Sequence, residues 1–155
     1  MSMDRNGIVL VLNDLIETCK DGEQGFKACA ADLEESDVHI KALFLERAQG
    51  CTAAAAELQE LVRVYGGVPA KSSTATGALH RHWLDIKSAV LGKNSEAVLN
   101  ECERGEDVAV RSYRKALEKE LPEDVRNVVE RQYQGVLQNH DRIKSLREQV
   151  RTAKS

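Results

Sequence analysis

Apolar residues recur along this chain at alternating steps of four and three. Over 6–33 the stripe reads Ile8, Leu12, Leu15, Cys19, Gly22, Phe26, Cys29 and Leu33. Such spacing puts one apolar face on a long helix. A second stripe predicts a helix over 37–65: Ile40, Phe44, Arg47, Cys51, Ala54, Leu58, Leu61 and Tyr65. Ser36 is its expected N-cap, and Gly66 supplies the left-handed position that ends it. After a break at 67–74, Leu79, Trp83, Ile86 and Val90 mark a shorter helix over 75–91, stopped by Gly92. A third long helix starts near Ser95, capped by Asn94 or Ser95, with Glu96 where an acid suits the helix dipole. Its seam is Val98, Cys102, Gly105, Ala109, Ser112 and Ala116. The fourth begins at Pro122 and runs to 152 along Val125, Val129, Gln132, Val136, Asn139, Ile143, Leu146 and Val150.

Helices this long belong in a bundle, where each buries its stripe against the others. The short links near Glu34-Glu35 and Glu120-Leu121 make the first and second, and the third and fourth, long helices antiparallel neighbours. The 66–94 segment is long enough to cross a bundle about 40 Å tall. Up-down-down-up and up-down-up-down orders are both allowed. The crossover order is preferred, because a simple hairpin needs fewer residues. Proline occurs only at Pro69 and Pro122, and strand-like alternation is absent. The expected class is all-α: one four-helix-bundle domain over 4–152, with an additional short helix in the crossover between the second and third long helices.

Length and charge narrow the setting. With 155 residues there is room for one domain, and 42% hydrophobic residues suffice for a core. A net charge of -3 argues against a broad basic nucleic-acid surface. No apolar run approaches the roughly 18 residues of a membrane span. The first residues, from Met1 to Asn6, lack the features of a signal peptide, so the expected location is the cytoplasm. Cys19, Cys29, Cys51 and Cys102 form no close pair and are expected as buried core residues.

The seams are not uniformly apolar. Arg47, Gln132 and Asn139 occupy core positions, and Gly22, Gly25, Gly50, Gly105 and Gly135 lie inside helices, where each costs about 1 kcal/mol relative to alanine. Acids flank them, which invites comparison with carboxylate-bridged di-iron bundles. Those bundles use Glu-x-x-His pairs, whose i and i+3 side chains project toward one point. No Glu-x-x-His occurs here: Gln49 follows Glu46 at i+3, and Leu137 precedes His140. The candidate ligands of a degenerate metal site are Glu23, Glu46, Glu103, Glu106 and His140. The competing expectation is an interhelical ion pair of Arg47 with Glu23, with Gln132 and Asn139 setting register. Counting from the first turn places Arg47 opposite Gly22 and Glu23. The acidic run 101–107 reads as a solvated helix face. His80 and His82 diverge by about 200° around a helix and do not share one metal easily. Trp83 is expected against the bundle end or a neighbouring subunit. Phosphate-loop, Gly-x-Ser-x-Gly and HExxH motifs are absent, and no catalytic site is nominated.

Several motifs together look familiar: Asn13-Asp14-Leu15-Ile16-Glu17, Asp21-Gly22-x-x-Gly25-Phe26, Leu79-His80-Arg81-x-Trp83, the 101–107 run, Leu121-Pro122 and His140-Asp141. They resemble a family of uncharacterised bacterial four-helix-bundle proteins grouped with the ferritin-like superfamily. The resemblance spans nearly the whole chain and implies a ferritin-like bundle in a bacterial cytoplasm. It implies no established activity, and the superfamily's iron ligands do not carry over, since both Glu-x-x-His motifs are missing.

The expected function is therefore that of a non-enzymatic bundle acting through protein contacts, as a homo-oligomer, with a stress response as one candidate setting. No cofactor, nucleic-acid or membrane partner is expected. The alternative is a ferritin-like metal-binding redox protein with a degenerate carboxylate site. A third idea is a small-molecule pocket where the mid-helix glycines remove side chains.

Overall fold

A computed structural model describes residues 3–33, 38–71, 78–92 and 94–154. Among these residues five helices follow one another: α1 (Arg5–Asp32), α2 (Val38–Val64), α3 (Ala78–Leu91), α4 (Ser95–Leu117) and α5 (Glu123–Lys154). Among the described residues there is no strand. No helix is long and apolar enough to cross a membrane, again among the described residues.

Local chemistry sets the helix ends. Asp4 caps α1, its side chain accepting from Gly7 N at 2.8 Å. Asn94 caps α4 by accepting from Ala97 N at 3.1 Å. At the end of α2, Gly66 has φ +77° and Gly67 N donates to Val62 O at 2.9 Å, closing a Schellman turn. The chain beyond is tied down by Asn13. Its Nδ2 donates to Val68 O at 3.1 Å and its Oδ1 accepts from Ala70 N at 2.8 Å. Ser36, Glu34-Glu35 and 75–77, where sequence reasoning placed a cap, a turn and a helix start, lie outside the described residues.

Two apolar clusters show how the helices run. One joins Ile8, Leu12 and Leu15 of early α1, Leu58 and Val62 of late α2, Tyr113 and Ala116 of late α4, and Val125 and Val129 of early α5. The other joins Phe26 and Cys29 of late α1, Ile40 and Phe44 of early α2, Val98 and Cys102 of early α4, and Ile143 of late α5. The long helices therefore run up, down, down, up. The connection from α2 to α4 crosses the full height, and α3 contributes Ile86 and Val90 to the second cluster. The expected side chains of α3 at Leu79 and Trp83, and those of His80 and His82, lie outside the described residues.

The first stripe is buried throughout, from Ile8 to Leu33. Late in α2 the buried face moves by one residue: Ala55 and Val62 are buried, whereas Ala54, Leu61 and Tyr65 are partly covered. A straight helix has 3.6 residues per turn and drifts off a 3.5-residue repeat. All four cysteines are buried and free.

Candidate functional site

Between the two apolar clusters the bundle is hollow. A cavity of about 490 Å³ sits at mid-height, lined by Gly22, Gly50, Gly105 and Gly135, one glycine from each long helix. Gly50, Ala53 and Arg131 belong to its wall and are exposed, so the cavity opens to the surface between α2 and α5. The glycines serve different ends. At Gly22 a Cβ would stand 2.9 Å from Cys51 Sγ, so glycine permits the close approach of α1 and α2. At Gly135 a Cβ would meet nothing within 4 Å, so there the missing side chain simply leaves space.

One charged pair occupies the inner wall. Arg47 and Glu106 are both buried; Nε donates to Glu106 Oε1 at 3.0 Å and Nη2 to Oε2 at 3.5 Å. Burial works against the arginine charge, yet the neighbouring carboxylate holds the guanidinium above its ordinary value. The guanidinium also lies over the Phe26 ring, 5.5 Å from its centroid.

A polar chain then leads from the interior to the mouth. Cys19 Sγ lies 3.4 Å from Tyr113 Oη, which donates to Gln132 Oε1 at 2.7 Å. Gln132 Nε2 donates to Glu57 Oε1 at 2.8 Å, and Glu57 is ion-paired to Arg131. Burial pushes Tyr113 well above its usual range. Burial also pushes the Cys51 thiol up to about 12, against the pull of Arg47. Cys19 and Cys102 are raised by burial too. Shifts in this direction keep the thiols protonated, the less nucleophilic form.

Sequence-based expectations for this region fare unevenly. Arg47 and Gln132 are buried, as expected from their seam positions, and Asn139 is partly buried at the cavity wall. Gln132 links α5 to α4 through Tyr113 and to α2 through Glu57. The expected partner of Arg47 was wrong. Glu23 pairs with Lys20 and Lys27, at 3.4 and 3.5 Å, and Arg47 pairs across the bundle with Glu106. The reason is register: Gly22 faces Cys51, one helical turn beyond Arg47. Gly25 does not belong to the wall, unlike the other four mid-helix glycines. Tyr113, Glu57 and Arg131 were not foreseen. Tyr113 was findable, since a step of four from Ala109 reaches it, one residue past the assigned Ser112.

The carboxylates named as metal candidates are dispersed. Glu46 is held by Arg142 at 2.8 Å, Glu106 by Arg47, and Glu103 by Arg147. His140 Nε2 lies 2.8 Å from Asp107 Oδ1 and 3.7 Å from Glu103 Oε1, toward the α4–α5 surface. Among the described residues no group of three or more His, Cys, Asp or Glu side chains converges on a point that could hold a metal ion. The described donor set therefore does not fit a carboxylate-bridged iron pair.

A family described as a domain of unknown function (DUF2383) matches residues 7–119. The match takes in α1 to α4 almost entirely and ends before α5, which supplies Gly135 and the Gln132 link. No curated protein matches the chain.

Proposed function

The chain belongs to the DUF2383 family, a domain without an assigned function, and from its central cavity we propose a non-enzymatic binding protein whose bundle holds a small molecule. The observation that carries this reading is the open space at Gly135. Alanine there would meet no atom and would favour the helix by about 0.5–1 kcal/mol. Stability alone would fill the position. About 490 Å³ also falls in the roughly 300–1,000 Å³ range of pockets that take small organic ligands.

The proposal includes a ferritin-like arrangement, supported by the up-down-down-up order and its single long crossover. It also includes a bacterial cytoplasmic setting, as the resemblance implies, and action through protein contacts as a homo-oligomer. Exposed Leu10, Val64 and Val68 at one end of the bundle support self-association. Light scattering tests that part, and a strict monomer removes it.

The pocket itself is tested with small aromatic probes. Benzene and indole are titrated into the protein while amide NMR spectra are recorded. Saturable shifts at residues of the cavity wall, lost in Gly135→Phe, are expected. Absence of any saturable shift with the whole panel refutes the reading.

A further inference from the structure

The charges and hydrogen bonds of the cavity wall define what its occupant must look like. Among the described residues the charged side chains of the wall are Arg47, Glu106, Glu57 and Arg131. They form two ion pairs, one inside and one at the mouth. Among the described residues the wall is therefore electrically neutral. A charged guest would leave an uncompensated charge in a place where unpaired charge costs several kcal/mol.

Donors and acceptors are less evenly spent. Tyr113 Oη donates to Gln132, Gln132 Nε2 donates to Glu57, and Thr18 Oγ1 donates to Asp14 O. Both oxygens of Glu106 accept from Arg47. Apart from the exposed Arg131 at the mouth, two side-chain nitrogen donors of the wall have no acceptor among the described residues, the neutral Asn139 Nδ2 and the charged Arg47 Nη1, and the charged one is the stronger donor. Nη1 of Arg47 lies 3.2 Å from where a Gly50 Cβ would stand, on the side of the cavity mouth. A larger residue at 50 would crowd this nitrogen, so Gly50 keeps it open to the cavity. Around it the wall is apolar: Phe26, Ile86, Val136, Ala109 and the neutral thiols.

We infer that the cavity selects an uncharged, mainly apolar molecule carrying a carbonyl-type hydrogen-bond acceptor, with that acceptor docked on Nη1 of Arg47. The inference rests on the pocket reading above and specifies its ligand class. Arg47 remains tied to Glu106 through Nε and Nη2, so the guest completes the guanidinium without breaking the ion pair.

Three probes of one size separate the possibilities: acetophenone (neutral, with acceptor), ethylbenzene (neutral, without) and benzoate (anionic). Dissociation constants are measured by NMR titration for the native chain and for Arg47→Met/Glu106→Leu. Replacing both members of a buried pair by apolar residues of similar volume preserves folding. The ratio of the acetophenone to the ethylbenzene constant cancels most of the difference in probe hydration. It is expected to rise at least about tenfold in the double variant, the worth of one charge-assisted hydrogen bond. In the native chain benzoate is expected to bind at least about tenfold more weakly than acetophenone. An unchanged ratio overturns the role of Nη1, and benzoate binding as tightly as acetophenone overturns the uncharged class. Either result leaves the pocket standing if ethylbenzene binds. If none of the three binds the native chain, the pocket reading itself falls.

Discussion

Removing the Glu106 carboxylate should be one of the costly single truncations in this bundle. The Arg47 side chain is 11% exposed and that of Glu106 is 3% exposed, with Nε and Oε1 3.0 Å apart. Glu106→Ala would strand a guanidinium that has no second carboxylate in hydrogen-bond contact among the described residues. Breaking such a pair from one side typically costs about 3–5 kcal/mol. Here Nη1 faces an open cavity and keeps some hydration, so the lower end, about 3 kcal/mol, is expected. That is a fifth or more of the roughly 5–15 kcal/mol available to a domain. With a urea m-value near 2 kcal/mol/M, the midpoint falls by about 1.5 M. Replacing both partners, as Arg47→Met/Glu106→Leu, should restore the midpoint to within about 1 kcal/mol of the native chain or raise it. Equilibrium urea unfolding followed by circular dichroism reads both. A loss below about 1 kcal/mol for the single variant, or a double variant as unstable as the single, would refute the account of a desolvated pair.

Three further outcomes are expected. Gly135→Ala should stabilise by about 0.5–1 kcal/mol, since its Cβ meets open space, whereas Gly22→Ala should destabilise by about 1–3 kcal/mol against Cys51 Sγ. Thermal melts that move in the same direction for both would contradict this. The Cys51 thiol, near 12 where 9.0 is ordinary, should react with a thiol reagent at about pH 8 roughly 1,000-fold more slowly folded than unfolded; a comparable rate would show that the site is not shielded. Stability should also decline on the alkaline side. Cys51, Cys19, Cys102 and Tyr113 all hold their protons more tightly folded than unfolded. Their contribution is complete below the unfolded thiol range, then fades as pH rises from about 9 toward 12, by up to about 1.4 kcal/mol per pH unit per group. A flat urea midpoint between pH 8 and 10.5 would count against it.

Much of the architecture was legible because period carries it. The α1 stripe needs no knowledge of the partner helices, and every residue of it is buried. Gly66 and Asn94 mark helix ends through chemistry local to a few residues, and both act as expected. The length of 66–94 favoured the crossover order but left both orders open, and the composition of the two apolar clusters decides it. Pairing across the bundle was not legible in the same way. Arg47 was recognisable as a buried charge, but its partner depends on the register of α1 against α2, which sets Cys51 and not Arg47 opposite Gly22. Glu106 is 59 positions away on α4, and no local spacing links the two. The hollow was half visible. Mid-helix glycines marked the level, but which of them leaves a space depends on the facing helix. Gly22 is met by Cys51, Gly135 faces nothing within 4 Å, and Gly25 lies off the wall altogether.

The seam between α2 and α5 has a mechanical consequence. These two helices meet only sparsely along their length. Side chains span the gap: Arg131 to Glu57, Gln132 to Glu57 and Ala54, and Arg142 to Glu46. Each helix satisfies its own amides internally, so parting this seam severs struts and leaves every backbone ladder intact. The two hairpins are joined mainly along α1, α3 and α4, so an opening of the cavity would begin at the α2–α5 seam. A guest of the hollow would then come and go on the timescale of side-chain and hinge motions, while the amides of α2 and α5 stay protected from hydrogen exchange throughout.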